Sequence, residues 1–126
     1  MSKFVLDASA IIAYLNNEKG AERVEEIIPF STVSSVNATE VLTKALESGH
    51  KITTARESFE LLGLEVIDFD YDQAVKNAAL RPLTRSRGLS LGDRSCLALA
   101  ALSGAVAVTA DRDWKGLNVC SIEVIR

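Results

Sequence analysis

Histidine occurs once in these 126 residues, as His50, and cysteine only twice, as Cys96 and Cys120. There is no CxxC pair, no HExxH pair and no Walker-type glycine loop. A zinc site or a nucleoside-triphosphate cradle therefore has no visible ligands. Two cysteines do not make a disulfide framework. Cys96 lies in an apolar helical run and Cys120 near the terminal strand, and both read as free buried thiols. His50 follows Gly49 and reads as an exposed loop residue. Proline is scarce, and no repeat, low-complexity tract or Gly/Ser-rich linker divides the chain. Residues 1–126 are expected to form a single domain. Long hydrophobic runs are also missing. The longest strictly apolar run, Cys96 to Leu102, is far short of the roughly 20 residues that a bilayer span needs. The opening Met1-Ser2-Lys3-Phe4 has neither the apolar length nor the cleavage site of a signal peptide. A cytoplasmic protein without membrane contact is the expectation.

A strong charge of one sign is absent too. Fourteen Lys and Arg face seventeen Asp and Glu, for a net −3, which argues weakly against a nucleic-acid partner. Setting four carboxylates aside as ligands of divalent ions leaves the remaining surface at +1, so the balance permits an RNA substrate without requiring one. Hydrophobic residues make up 48% of the chain, enough for a packed core rather than disorder.

Strand-like and helix-like segments alternate. Phe4-Val5-Leu6 is a short apolar run ended by Asp7 and reads as a buried strand. Ala8 to Leu15 reads as a helix with Ser9 near its start, and Ala21 to Ile28 as a second, stopped by Pro29. Phe30 to Val33 is a strand. Ser34-Ser35 caps a helix from Val36 to Leu46 whose apolar stripe is Ala38, Val41, Leu42, Ala45 and Leu46, with Gly49 at its end. Thr53 or Thr54 is expected to cap a helix to about Leu62. Leu64 to Phe69 is a strand, and Asp70 or Asp72 opens a helix towards Arg81. Pro82 to Gly88 looks irregular and basic. Ser90 to Leu102 is apolar on most faces and should be a central helix. Ala105 to Val108 is a buried strand, and Val119 to Ile125 a final edge strand. The pattern predicts a three-layer α/β domain: a mainly parallel sheet of about four to five strands, flanked by helices.

Two aspartates then stand out. Asp7 follows the first strand, and Asp111 lies just past Ala105-Val-Ala-Val-Thr-Ala110. In open α/β sheets the functional crevice lies outside the carboxyl ends of the strands, so these two acids can converge across a long sequence distance. Each is also compatible with a turn or helix-cap role. Asp93 opens the central helix within Leu89-Ser-Leu-Gly-Asp-Arg-Ser-Cys-Leu97. A carboxylate there favours the helix start, yet Gly92 lets the backbone approach something closely, and a charge heading an apolar helix needs water, a partner or a metal. Glu40 falls opposite the apolar stripe of its own helix, which on periodicity alone describes a solvated residue paired with Lys44. Several carboxylates together suit Mg²⁺ or Mn²⁺, hard cations that take oxygen ligands and keep several waters.

The combination resembles the PIN-domain ribonucleases, and most closely the VapC-type toxins of toxin–antitoxin pairs. The matching pieces are Phe4-Val-Leu-Asp-Ala-Ser-Ala10, Asn37-Ala-Thr-Glu40, Leu89-Ser-Leu-Gly-Asp-Arg-Ser-Cys-Leu-Ala-Leu-Ala100 and Val108-Thr-Ala-Asp-Arg-Asp-Trp114. They come in order over the whole chain. The resemblance implies Asp7, Glu40, Asp93 and Asp111 as the catalytic acids that hold one or two Mg²⁺ or Mn²⁺ ions, with Asp113 as an auxiliary acid. It implies Ser9, Asn37 and Thr109 as polar neighbours. It also implies cleavage of a specific structured RNA, a homodimer and neutralisation by a cognate VapB-type antitoxin. It reverses the reading of Glu40, whose helix face would line a cleft instead of meeting open solvent. Trp114 stands where such proteins often carry a smaller aromatic, and reads as core packing.

One feature lies outside the resemblance. Arg81, Arg85, Arg87 and Arg94 fall close together with Asp93 as the only acid among them. Such a run is usually a solvated charge cluster, but Arg85, Arg87 and Arg94 are candidates to hold an RNA backbone, because arginine forks match phosphate oxygens. Two other functions compete: a non-catalytic PIN-like module that only binds RNA or a partner, and a PIN nuclease of RNA processing outside any toxin–antitoxin pair. A dehalogenase-like phosphatase would need an Asp-x-Asp pair after the first strand, where this chain has Asp7-Ala8-Ser9.

Overall fold

The computed structural model describes residues 3–126. Five short strands, β1 (Phe4–Leu6), β2 (Ser31–Ser34), β3 (Glu65–Ile67), β4 (Val106–Thr109) and β5 (Ile122–Val124), form one sheet. Their spatial order is β3-β2-β1-β4-β5, and every neighbouring pair is parallel. The chain steps outward from β1 through β2 to β3, then crosses back to lay β4 on the other side of β1. Strand order thus reverses between β1 and β4, where an open α/β sheet opens its crevice. Leu6 pairs with Val108 in that register, which brings the residues following both strands to the same end of the sheet.

Seven helices cover the sheet: α1 (Ala8–Leu15), α2 (Ala21–Ile27), α3 (Ser35–Glu47), α4 (Ile52–Glu60), α5 (Tyr71–Ala79), α6 (Arg81–Thr84) and α7 (Leu91–Ser103). Side chains alternate along each strand, and the alternation divides the core in two. Val5 and Ala107 pack on one face with Leu80, Leu97 and Trp114. Leu6, Val33 and Val108 pack on the other with Ile11, Val24 and Val41. Both faces are covered, as a parallel sheet requires, and the three-layer expectation is met. No helix among the described residues is long and apolar enough to cross a membrane.

Three helices near the crevice begin on side-chain caps. Asp7 accepts from the Ala10 N–H at the head of α1, and Ser34 from the Val36 N–H at the head of α3. Ser90 and Asp93 form a reciprocal capping box on α7. Gly104 ends α7 in the left-handed conformation that glycine adopts without strain.

The structure departs from the sequence reading in several places. Helix α4 starts at Ile52 after Lys51, with no side-chain cap; burial of Ala55 and Phe59 holds it instead. The stretch read as irregular is helical: α6 is followed by a 3-10 turn over Arg85–Arg87. Pro82 fits there because it sits in the first turn, where a missing N–H leaves no bond unmade. Leu46 is 44% exposed, because the last turn of α3 runs beyond the core. The terminal strand does lie at the sheet edge, but it spans only Ile122–Val124.

Candidate active site

Asp7 sits just beyond β1, only 3% exposed. Its N–H continues the sheet by donating to the Val108 carbonyl at 2.9 Å. Its carboxylate is held from three sides. Oδ1 accepts from Ser9 Oγ at 2.7 Å and from the Ala10 N–H at 2.9 Å, and Oδ2 accepts from Thr109 Oγ1 at 2.6 Å. Burial raises its pKa from 3.8 to about 6, and the nearby charge of Asp93 adds to the rise, although the three hydrogen bonds oppose it.

Ser9 and Thr109 also hold the Ala110-Asp111 segment. Ser9 Oγ accepts from the Ala110 N–H at 2.9 Å, and Thr109 Oγ1 accepts from the Asp111 N–H at 3.0 Å. Each hydroxyl has one proton to give, and both are directed at Asp7. The segment after β4 is thereby fixed against the segment after β1.

The other acids differ from Asp7 in having one oxygen anchored and the other left free. Asp93 Oδ2 accepts from the Ser90 N–H at 2.9 Å. Asp111 Oδ1 accepts from the Asp113 N–H at 2.9 Å. Glu40 Oε1 accepts from Asn37 Nδ2 at 2.7 Å. Among the described residues, Asp93 Oδ1, Asp111 Oδ2 and Glu40 Oε2 have no hydrogen-bond partner. Asp7, with three of its four acceptor positions in use, keeps one on Oδ2. The helix-capping reading of Asp93 is correct, and so is the turn-capping reading of Asp111, yet neither exhausts the carboxylate.

Asp7, Ser9, Glu40, Asp93 and Asp111 all line one open cleft of about 420 Å³. Thr43, Lys44 and Glu47 line it from α3 as well. Glu47 was missed in the sequence, although it lies two turns beyond Glu40 on the same helical face, a spacing that marks shared exposure. No ion pair joins Glu40 to Lys44 among the described residues.

Other candidates fall outside the cleft lining. The Asp113 side chain is exposed, and its backbone N–H is what serves Asp111. Asn37 and Thr109 stand behind the lining as hydrogen-bond partners. The arginines divide. Arg87 donates to the carbonyls of Asp113 and Lys115, and Arg94 to the Asn77 carbonyl; both clasp backbone. Arg85 is exposed, with no side-chain hydrogen bond or ion pair among the described residues. Cys96 lies fully buried behind the acids, and burial first, then the charge of Asp7, keeps its thiol well above the usual range. Cys120 is half-buried and free. Trp114 is fully buried in the core.

Among the described residues, no three Asp, Glu, His or Cys side chains close on one point as a ready cage for an ion. The acids instead flank an open cleft. That arrangement, with an all-oxygen donor set and one free oxygen position on each acid, fits a hard divalent cation that keeps part of its water.

The family model for the PIN domain matches residues 4–118. The chain belongs to the PIN-domain family. PIN domains are nucleases. Comparison with curated protein sequences gives no significant match. Among solved structures, the DNA-bound VapBC complex from Salmonella typhimurium contains a chain that is 24% identical, with TM-score 0.77 and complete coverage of both chains. A toxin–antitoxin complex from Klebsiella pneumoniae gives 20% identity and TM-score 0.74, covering 97% of each chain. VapBC-5 from Mycobacterium tuberculosis gives 23% identity and TM-score 0.66, covering 98% of each. At these identities the likeness establishes a shared fold.

Proposed function

We propose that this PIN domain is a Mg²⁺- or Mn²⁺-dependent endoribonuclease, acting as the toxin of a toxin–antitoxin pair. The observation that carries the reading is the convergence of Asp7, Glu40, Asp93 and Asp111 from four separate elements on one cleft. Four carboxylates facing one cleft, each with an oxygen position free, offer oxygen ligands to a divalent ion. When bound there, Mg²⁺ or Mn²⁺ lowers the pKa of its water and stabilises charge on the phosphodiester oxygens.

The residues divide the work. Asp7 is the fixed post, since burial and three hydrogen bonds leave it no rotational freedom. Asp93 and Asp111 are oriented by the same bonds that cap their own turns. Glu40 closes the site from α3. Lys44, on the rim of the cleft, supplies positive charge where a phosphate backbone would pass. Arg85 extends that path on the surface, while Arg87 holds the segment 113–115 and Arg94 ties α7 to α5. Hydrolysis adds the water oxygen to phosphorus and releases one sugar oxygen, so both RNA fragments leave without a covalent enzyme intermediate.

The toxin assignment is supported by full-length likeness to chains of VapBC and other toxin–antitoxin complexes. On this reading a VapB-type antitoxin is the inhibitor, a homodimer is the working unit and the cytoplasm is the setting. The test is incubation of the purified protein with a pool of structured cellular RNAs. Discrete fragments with Mg²⁺ or Mn²⁺, abolished by EDTA and by Asp93→Asn, are expected. Equal cleavage by wild type and Asp93→Asn would overturn the assignment.

A further inference from the structure

Asn37 lies in the first turn of α3, one turn before Glu40, and is 1% exposed. Its amide nitrogen donates twice: to Glu40 Oε1 at 2.7 Å and to the Gly92 carbonyl at 3.0 Å. A side-chain amide has only two protons to give, so both are committed. The amide oxygen is buried with no partner. An unpaired buried oxygen is destabilising. The reversed amide would be worse, because it would set that oxygen against a carboxylate and a carbonyl with no proton between them. The two acceptors therefore dictate the orientation, and the orphaned oxygen is its consequence.

Gly92 supplies the second constraint. A Cβ at this position would lie 2.5 Å from Glu40 Oε2, 2.6 Å from Oε1 and 2.7 Å from Cδ. Gly92 is in the first turn of α7, and it is not among the residues with positive φ. Its backbone would accept alanine, and alanine is the better helix former. A Cβ here would displace the Glu40 carboxylate, which the end of a flexible side chain can allow, so glycine keeps open this one seat for Glu40 rather than serving the backbone.

We propose that Asn37 and Gly92 are positioning residues that dock the Glu40 carboxylate onto the head of α7. The docked pair ties α3 to the helix that carries Asp93, and so sets where Glu40 meets the cleft. The purpose of the docking rests on the nuclease reading, but the docking itself does not. Solvated glutamates on helix surfaces sample several rotamers; this one is clamped by a donor on its own helix and by a gap cut in the next.

The test places Gly92→Ala and Asn37→Ala each in the wild-type and in the Glu40→Ala background. Melting temperature and Mn²⁺ affinity are measured by calorimetry in all six proteins. Gly92→Ala should raise the melting temperature of Glu40→Ala, where only the helix preference remains, and should raise that of the wild type less or lower it, because there the Glu40 carboxylate must leave its seat. Asn37→Ala and Gly92→Ala should each weaken Mn²⁺ binding about tenfold, the usual effect of losing a residue that orients a ligand. Neither should weaken it further once Glu40 is absent. A Gly92→Ala shift of the same size in both backgrounds overturns the docking. So does an Asn37→Ala loss of Mn²⁺ affinity that persists in Glu40→Ala. If the wild type takes up no Mn²⁺, the metal-nuclease reading fails, while the paired melting temperatures still decide the docking.

Discussion

Asp7→Asn should make the ion-free protein more stable at neutral pH while abolishing its activity. In the fold the Asp7 pKa is raised from 3.8 to about 6. A carboxyl whose pKa rises on folding favours the folded state only while it is protonated. Its contribution is complete below pH 3.8, declines through the window from 3.8 to about 6 and is gone above it. A shift of this size corresponds to about 3 kcal/mol. Asparagine keeps the shape and the acceptor for Ser9 and the Ala10 N–H. It loses the charge, and it makes Thr109 an acceptor in place of a donor, a rearrangement that costs about 1 kcal/mol. The net gain is about 2 kcal/mol at pH 7.5, or roughly 5–10 °C in melting temperature for a domain of this size. The assay is thermal unfolding in EDTA at pH 7.5 and again at pH 4.5, where the advantage should shrink towards zero. Saturating Mg²⁺ should then stabilise the wild type and leave Asp7→Asn unmoved. An Asp7→Asn protein that melts below the wild type at pH 7.5, or that shows the same pH dependence, would refute the reasoning.

Glu40→Gln should keep the hydrogen bond from Asn37 and change stability by less than about 1 kcal/mol, while RNA cleavage falls by at least about a hundredfold, more than an outer-shell partner usually contributes. Thr109→Val removes the donor to Asp7 and the acceptor for the Asp111 N–H. It should cost about 1–3 kcal/mol in a denaturant titration and push the acid limb of the cleavage pH profile upward, because the Asp7 carboxylate loses a stabilising bond. Arg85→Ala should leave the melting temperature unchanged and reduce the salt slope of RNA binding by about 1. Arg87→Ala should lower the melting temperature instead, because Arg87 clasps the carbonyls of Asp113 and Lys115. An unchanged salt slope in Arg85→Ala would remove it from the RNA path.

Much of this architecture was legible in the residues. Short apolar runs ending in Asp7 and in Thr109-Ala110-Asp111 announce strand ends, and a parallel α/β sheet turns strand ends into a crevice. Asp93 was legible as a helix-head acid for the same reason that it caps α7. Glu40 was not. Periodicity reports only whether a face meets its own core, and a face that lines a cleft looks the same as one that meets bulk water. The family motif supplied what the period could not. Gly92 was legible as a point of close approach, but its partners were not: Asn37 and Glu40 reach it from α3, and no local pattern encodes such a contact. The basic stretch shows the same limit from another side. Its arginines look alike in sequence, yet Arg81, Arg87 and Arg94 end on backbone carbonyls, and only the fold separates these clasps from the free charge of Arg85.

The central claim is that the four-acid cleft cuts RNA, and mapping RNA 5′ ends tests it most directly. Total RNA is sequenced from cells after brief induction of the wild-type chain, beside cells that express Asp7→Asn to the same level. New 5′ ends at a small set of sites within structured RNAs, present only with the wild type, are the expected result. Identical 5′-end profiles in the two samples would contradict it.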